Sequence, residues 1–309
     1  MGTFNHKSVL ATGSPGCAVA RPGYASRRTT PRELRDNCPM IDLHCHMLPG
    51  IDDGSPDDAT SLEMARIAVA DGIRTLACTP HIYPGLYENN ANGIVARVHA
   101  LQEKLDAAGI DLKLTYGADA HLTPELLGRI KDGTAPTLHG GRYFLLEPSH
   151  HVAPPRLEES VFNFTAAGYV PVITHPERLT WIDGKYSVFE SLFKSGAWMQ
   201  ITSGSLTGRF GSNAQYWAER MLDDGMVHLL ATDAHGIKHR APLLAEGMQA
   251  AEKWVGAEEA RRLVFDRPQA ILDNLPPAEV TPVPALDPAG HKPRSQGIWA
   301  KLMRRRARF

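Results

Sequence analysis

The chain has 309 residues, 43% hydrophobic and 22% charged, with a formal net charge of −1. This is the make-up of a folded globular protein, and no apolar run approaches the roughly 18 residues of a membrane-spanning helix. Residues 1–40 carry six Lys/Arg against two Asp/Glu and residues 277–309 seven against two, so the body is acidic and nucleic acid is not an expected partner.

Residues 1–39 are rich in Gly, Pro, Ser, Thr and Arg without a sustained period, and disorder is expected there. Pro15 and Gly16 interrupt the weakly apolar stretch 8–20, which makes a poor signal peptide. Met40 directly precedes the first patterned strand and is the expected natural start. Strands are predicted at 40–43, 74–78, 112–116, 143–147, 170–174, 198–202 and 227–232. Between the first two lies a helix with Ser55 as N-cap, Pro56 at its first position and Gly72 at its end. Other helices are predicted to start near Asn92, Pro155, Asn213 and Pro242. Strands separated by helices imply a parallel sheet, and seven such units suit one (β/α) barrel. Past Leu275 the composition shifts to Pro and Ala, so 277–309 is expected to be a flexible tail. Its basic end, 292–309, interleaves Ile298, Trp299, Leu302, Met303 and Phe309, a pattern that suits a membrane surface, a partner or a frayed tail.

Chemistry gathers at the predicted strand ends. In chain order these give Asp42-Leu43-His44-Cys45-His46, then Thr79-Pro80-His81, Asp119-Ala120-His121, Leu146-Glu147, His175-Pro176-Glu177-Arg178 and Asp233-Ala234-His235. Only the sixth strand offers no ligand. Barrel enzymes build their sites at this end of the strands. Residues two apart on a strand face the same side, so His44 and His46 can share an ion, and Asp233 and His235 repeat the spacing. His and carboxylate donors without thiolate suit manganese, iron or zinc. They outnumber the needs of one ion, so two or three are expected. Such ions activate water and neutralise the attacked group. Arg178 and Arg240 follow His175 and His235 closely, and guanidinium forks match phosphate oxygens. The four cysteines form no Cys-x-x-Cys pair, and neither Cys45 nor Cys78 has an Arg six residues on, which removes a cysteine-nucleophile phosphatase loop. Scattered cysteines suit the cytoplasm.

The ordered set His44-x-His46, Asp52-Asp53-Gly54, His81, Glu147, His175-Pro176-Glu177-Arg178 and Asp233-Ala234-His235 resembles the polymerase and histidinol phosphatase (PHP) family. More narrowly, Leu48-Pro49-Gly50-Ile51-Asp52-Asp53-Gly54 is similar to the bacterial manganese-dependent protein-tyrosine phosphatases of capsule and exopolysaccharide operons. The resemblance covers about residues 40–275. It implies a distorted (β/α)7 TIM-like barrel and a three-metal site with manganese the expected ion. Carried over by position, His44, His46, Asp119 and Asp233 hold one ion, Asp119, Glu147 and His175 a second, and Asp53, His81 and His235 a third, while Arg178 and Arg240 grip phosphate. The implied reaction is in-line attack of a metal-bound hydroxide on phosphotyrosine, with a polysaccharide-assembly tyrosine kinase as substrate. One departure stands out: Asp119 occupies a position normally filled by Glu. A small-molecule phosphatase of the histidinol-phosphatase type and a metal-dependent nuclease are the alternatives.

Overall fold

The computed structural model describes residues 39–287, with 291 and 293. The expected disordered extension, the Met40 start as it bears on it, and the basic stretch 292–309 lie almost wholly outside the described residues. Nine strand segments form among the described residues: β1 (Met40–Cys45), β2 (Ile73–Cys78), β3 (His81–Ile82), β4 (Lys113–Tyr116), β5 (Asp119–His121), β6 (Tyr143–Glu147), β7 (Val170–Thr174), β8 (Trp198–Thr202) and β9 (Leu229–Ala231). All pairings are parallel, in the orders β1-β2-β4 and β3-β5-β6-β7-β8-β9.

The two sheets are parts of one ring. Only Thr79-Pro80 separates β2 from β3, and only Gly117-Ala118 separates β4 from β5. Across those breaks Gly117 N–H donates to Cys78 O at 3.0 Å and Asp119 N–H to Pro80 O at 3.1 Å. On the far side Asp233 N–H donates to His44 O at 2.8 Å and His46 N–H to Ala234 O at 2.9 Å. The seven predicted strands are therefore the seven staves of a distorted (β/α)7 barrel, two of them broken. A β-carbon at Gly117 would lie 2.8 Å from Leu138 Cδ2 and 3.2 Å from Thr79 Cγ2, so any larger residue at the break would push those side chains aside.

Strand parity sorts the side chains. Ile41, Leu43, Ala77, Tyr143, Leu145, Val170, Val172, Trp198 and Leu229 form one buried cluster inside the ring. The opposite faces, including Phe144, Leu146, Ile173, Met199 and Leu230, pack with the helices. Continuing the inner parity along each strand leads to His81, Asp119, Glu147, Thr174, Gln200 and Asp233. On β1 that parity would miss His44. There the register with β2 slips by one residue between Asp42 and Cys45, and a bulge of this kind re-aims the side chains beyond it.

The helices follow the expected plan, with local differences. The first, α1 (Asp58–Asp71), is capped by Asp57, not Ser55: the Asp57 carboxylate accepts from Thr60 N–H at 2.8 Å, while the buried Ser55 hydroxyl donates to Asp57 O. Its end is the left-handed Gly72, at φ 101°. The other predicted starts become α2 (Ala91–Ala107), α4 (Leu157–Ala166), α7 (Gly211–Asp223) and α8 (Ala245–Val255). Helices α3 (Leu126–Lys131), α5 (Ile182–Lys194) and α6 (Ser203–Leu206) fill the remaining connections. Part of the stretch expected to be a flexible tail, around residues 281–283, is held to the body. Val283 is buried, and the fully buried Arg267 donates to Thr281 O and Pro282 O while pairing with Glu259 at 2.7 Å. A proline-rich composition masked this segment, because its anchor is an arginine elsewhere in the chain. No helix among the described residues is long and apolar enough to cross a membrane.

His228 ties β8 to β9. Its ring stacks on Trp198 at 4.6 Å, and its Nδ1 accepts from Met199 N–H at 3.1 Å. Burial, and then the Arg267 guanidinium, hold its pKa well below 6.5. The folded state keeps this ring neutral, whereas the unfolded chain takes up a proton below pH ~6.5. His228 therefore removes stability as the pH falls, by about 1.4 kcal/mol per unit below that point. Urea titrations of wild type and His228→Gln check this: the wild type's advantage should shrink by about 2 kcal/mol between pH 7 and pH 5. A constant gap sinks the assignment.

Candidate metal centre

The bulge on β1 places His44 and His46 side by side, fully buried, with ring centroids 5.3 Å apart and Nε2 atoms 3.2 Å apart. Each ring is held from behind. His44 Nδ1 donates to Gln200 Oε1 at 2.8 Å, His46 Nδ1 to Asp52 Oδ2 at 2.7 Å, and His235 Nδ1 to the Asp233 carbonyl at 3.0 Å. An imidazole that donates from Nδ1 offers Nε2 as its ligand atom. These three rings present Nε2 to a common space.

Asp119 lies at the centre of that space and is fully buried. Its Oδ2 is 3.4 Å from His44 Nε2, 3.6 Å from His81 Nδ1 and 3.7 Å from His175 Nε2, while Thr174 Oγ1 donates to Oδ1 at 3.2 Å. Glu147 follows on the next strand, with Oε2 3.5 Å from His81 Nδ1 and 3.6 Å from His121 Nδ1. The half-exposed Asp53 closes the outer side, 3.5 Å from both His81 Nε2 and His235 Nε2.

This constellation fits divalent cations on its own chemistry. Asp119 Oδ2, His81 Nδ1 and His175 Nδ1 are buried and lack a hydrogen-bond partner, which buried polar atoms rarely do. Burial works against a charged His44, yet the carboxylates of Asp119 and Asp233 outweigh it and raise its pKa to about 9. His81 is likewise raised to about 10, against burial, chiefly by Glu147 and Asp119. Such a field favours positive charge, whether proton or metal cation. Four groups bring donor atoms within 4.8 Å of one another: His46/Asp53/His81/His235, His44/His175/Asp233, His44/His46/Asp119 and His81/Asp119/Glu147. All nine residues singled out in the sequence as metal-ligand candidates are brought together. The groups overlap, so His44, His46, His81 and Asp119 each belong to two of them and His175 sits with His44 and Asp233 as well as near Asp119.

Arg178 and Arg240 converge on one atom. Arg178 Nη1 donates to Asp233 Oδ2, and Arg240 Nη2 donates to the same oxygen at 2.6 Å. The other oxygen, Oδ1, faces His44 Nε2 at 3.3 Å and His46 Nε2 at 3.4 Å. Two ligand positions have positive φ although they are not glycine, His175 at 36° and Asp233 at 50°. Strained backbone of this kind concentrates at functional sites.

Sequence reasoning missed the groups that hold the ligands. Asp52 was visible in the Asp52-Asp53-Gly54 turn but had no stated role. It also accepts from Gly54 N–H and His81 N–H. Gln200 stands on the strand that offered no ligand, where inner parity alone could have found it. Buried Asp42 braces the strand ends, accepting from Thr232 N–H, Thr232 Oγ1–H and His44 N–H; burial raises its pKa to about 6.

A seven-stave parallel barrel with a His/carboxylate cluster at the C-terminal ends of its strands defines a protein of the PHP class. Residues 40–273 match the capsular polysaccharide synthesis family CpsB/CapC, and the chain belongs to that family. It is 38% identical over 221 residues to tyrosine-protein phosphatase YwqE of Bacillus subtilis, spanning 71% of this chain and 86% of that protein. It is 28% identical over 238 residues to tyrosine-protein phosphatase CpsB of Streptococcus pneumoniae, spanning 75% and 98%. Among solved structures it aligns with a chain from the crystal structures of YwqE and CpsB, described as unique metal-dependent tyrosine phosphatases. There the TM-score is 0.74 at 35% identity, covering 76% of this chain and 95% of that one.

If Asp52 orients His46 and His81 for a cation, Asp52→Ala should weaken divalent-metal affinity by roughly 10–100-fold. Isothermal titration of metal-stripped protein measures this, and an affinity equal to wild type rules the role out.

Proposed function

We propose that the chain is a metal-dependent protein-tyrosine phosphatase whose substrate is a cytoplasmic tyrosine kinase of capsular or exopolysaccharide synthesis. The observation that carries this reading is the convergence of Arg178 and Arg240 on Asp233, at the edge of the His/carboxylate cluster. The tyrosine phosphatases to which the chain is similar support it. So do the free buried thiols of Cys45 and Cys78, which suit a reducing compartment.

In this reading His44, His46, Asp53, His81, Asp119, Glu147, His175, Asp233 and His235 hold two or three divalent ions, manganese first and iron or zinc as substitutes. When bound, those ions supply an activated water and neutralise charge on the phosphoryl group. The chain's own residues do the rest. Gln200 and Asp52 fix the tautomers of His44 and His46 through Nδ1. Arg178 and Arg240, 14% and 27% exposed, offer guanidinium forks to the phosphoryl oxygens from one side. A tyrosinate leaving group, with a pKa near ~10, departs with little need of a proton donor.

The loops around the cluster suit an aromatic substrate on a peptide. Six large hydrophobic side chains are exposed among the described residues, and four of them, Tyr83, Leu86, Val152 and Ile237, stand on loops that follow His81, Glu147 and His235. A highly polar small metabolite would gain nothing from such a rim, whereas a tyrosyl ring and its neighbours would bury it.

Turnover of a phosphotyrosine peptide should exceed that of histidinol phosphate, disappear with EDTA and return with manganese. Equal or better turnover of histidinol phosphate, or activity that survives EDTA, defeats the proposal. Arg178→Lys keeps the charge but loses the fork, and should lower kcat/KM for the peptide by roughly tenfold or more. An unchanged kcat/KM removes Arg178 from the phosphate grip.

A further inference from the structure

Two guanidiniums that share one carboxylate oxygen repel each other, and Asp233 alone does not fix their planes. The structure supplies a second partner. The Arg178 Cζ atom lies 4.2 Å from the centroid of the Phe210 ring, and Arg240 Cζ lies 5.9 Å from the same centroid. Both distances fall within the range of a cation–π contact.

Phe210 is itself held by the segment that supports Arg178. It ends the turn between α6 (Ser203–Leu206) and α7 (Gly211–Asp223). Arg209 N–H donates to Gly204 O at 2.9 Å and closes that turn. A β-carbon at Gly204 would sit 3.0 Å from Phe210 Cε2, so the ring packs close to the α6 backbone where no side chain intervenes. The same stretch grips the neighbour of Arg178. Buried Glu177 accepts through Oε1 from Thr202 N–H at 2.9 Å and from Ser205 Oγ at 2.7 Å. Residues 202–210 thus fix both the backbone beneath Arg178 and the ring beneath its guanidinium. Neither Phe210 nor Gly204 belongs to the cluster of donor atoms.

We propose that Phe210 is a positioning residue whose ring face holds Arg178 and Arg240 in register to receive one phosphoryl group. The inference rests on the phosphate-gripping role of those arginines. Its π face offsets part of their mutual repulsion and limits their rotation without competing with phosphate for their N–H donors. A second carboxylate in its place would compete.

The test is the inhibition constant of inorganic phosphate in aryl-phosphate turnover, measured with bound metal for Phe210→Leu, Phe210→Tyr, Arg178→Ala and Arg240→Ala. Phe210→Leu should raise that constant and KM by roughly tenfold, with a smaller change in kcat and unchanged metal content. Phe210→Tyr, which keeps the ring, should restore both constants to near wild type. Phe210→Met, similar in volume but without a π face, should behave as the leucine variant and serves in its place if leucine does not fold. If both arginine variants raise the constant while Phe210→Leu and Phe210→Met do not, the proposal for Phe210 is overturned and the grip stands. If the arginine variants leave it unchanged, the grip falls and the proposal with it. Loss of metal from the Phe210 variants, or a tyrosine variant as impaired as leucine, also overturns it.

Discussion

Asp119 carries a carboxylate that water does not reach, and the upper half of the barrel is arranged around that fact. Placing an ionised carboxylate in a protein interior costs several kcal/mol unless it is paired and hydrogen-bonded. The hydroxyl of Thr174 satisfies one oxygen. The other is surrounded by His44, His81 and His175 at 3.4–3.7 Å, too far for good hydrogen bonds. Burial would raise the pKa of Asp119, yet these imidazoles, His44 foremost, hold it well below the usual carboxylate range. The arrangement favours positive charge at the centre.

The barrel reaches this state through strand parity. Alternate residues of β6, β7 and β8 run from apolar at the base to polar at the top: Tyr143, Leu145, Glu147; Val170, Val172, Thr174; Trp198, Gln200, Thr202. The same face that packs the lower core becomes the wall of the site, so the ligands stand on a rigid support. β1 is the exception. Its bulge between Asp42 and Cys45 trades one step of regular pairing for two histidines aimed inward. Asp42, accepting from Thr232 and from His44 N–H, secures that irregular backbone to the strand that completes the ring.

Much of this was legible in the sequence because chemistry and periodicity coincide at strand ends. His44, Asp119 and Asp233 interrupt apolar strands with groups that are expensive to bury, and such interruptions stand out against a core pattern. The orienting residues did not stand out. Gln200 is one polar residue in a buried strand, with no spacing that links it to His44, 156 positions away. The bulge on β1 is a matter of backbone register, which side-chain alternation cannot report. Ser55 followed by Pro56 was a reasonable helix start, but Asp57 could satisfy the Thr60 N–H while Ser55 was drawn into buried hydrogen bonds with Ser61 and Asp57. The breaks at Thr79-Pro80 and Gly117-Ala118 fall just after the predicted strands 74–78 and 112–116, so the short β3 and β5 that continue those two staves were not predicted. The anchoring of residues 281–283 was hidden because Arg267, not a local pattern, holds them.

Asp233 shows how the two halves of the site depend on each other. Its Oδ1 faces His44 and His46, and its Oδ2 holds Arg178 and Arg240. One planar group therefore fixes the spacing between the cluster and the arginines. Its backbone is pinned as well, with φ at 50° and the N–H donated to His44 O. A rotation of the carboxylate that improved contact with the imidazoles would weaken its hold on the guanidiniums.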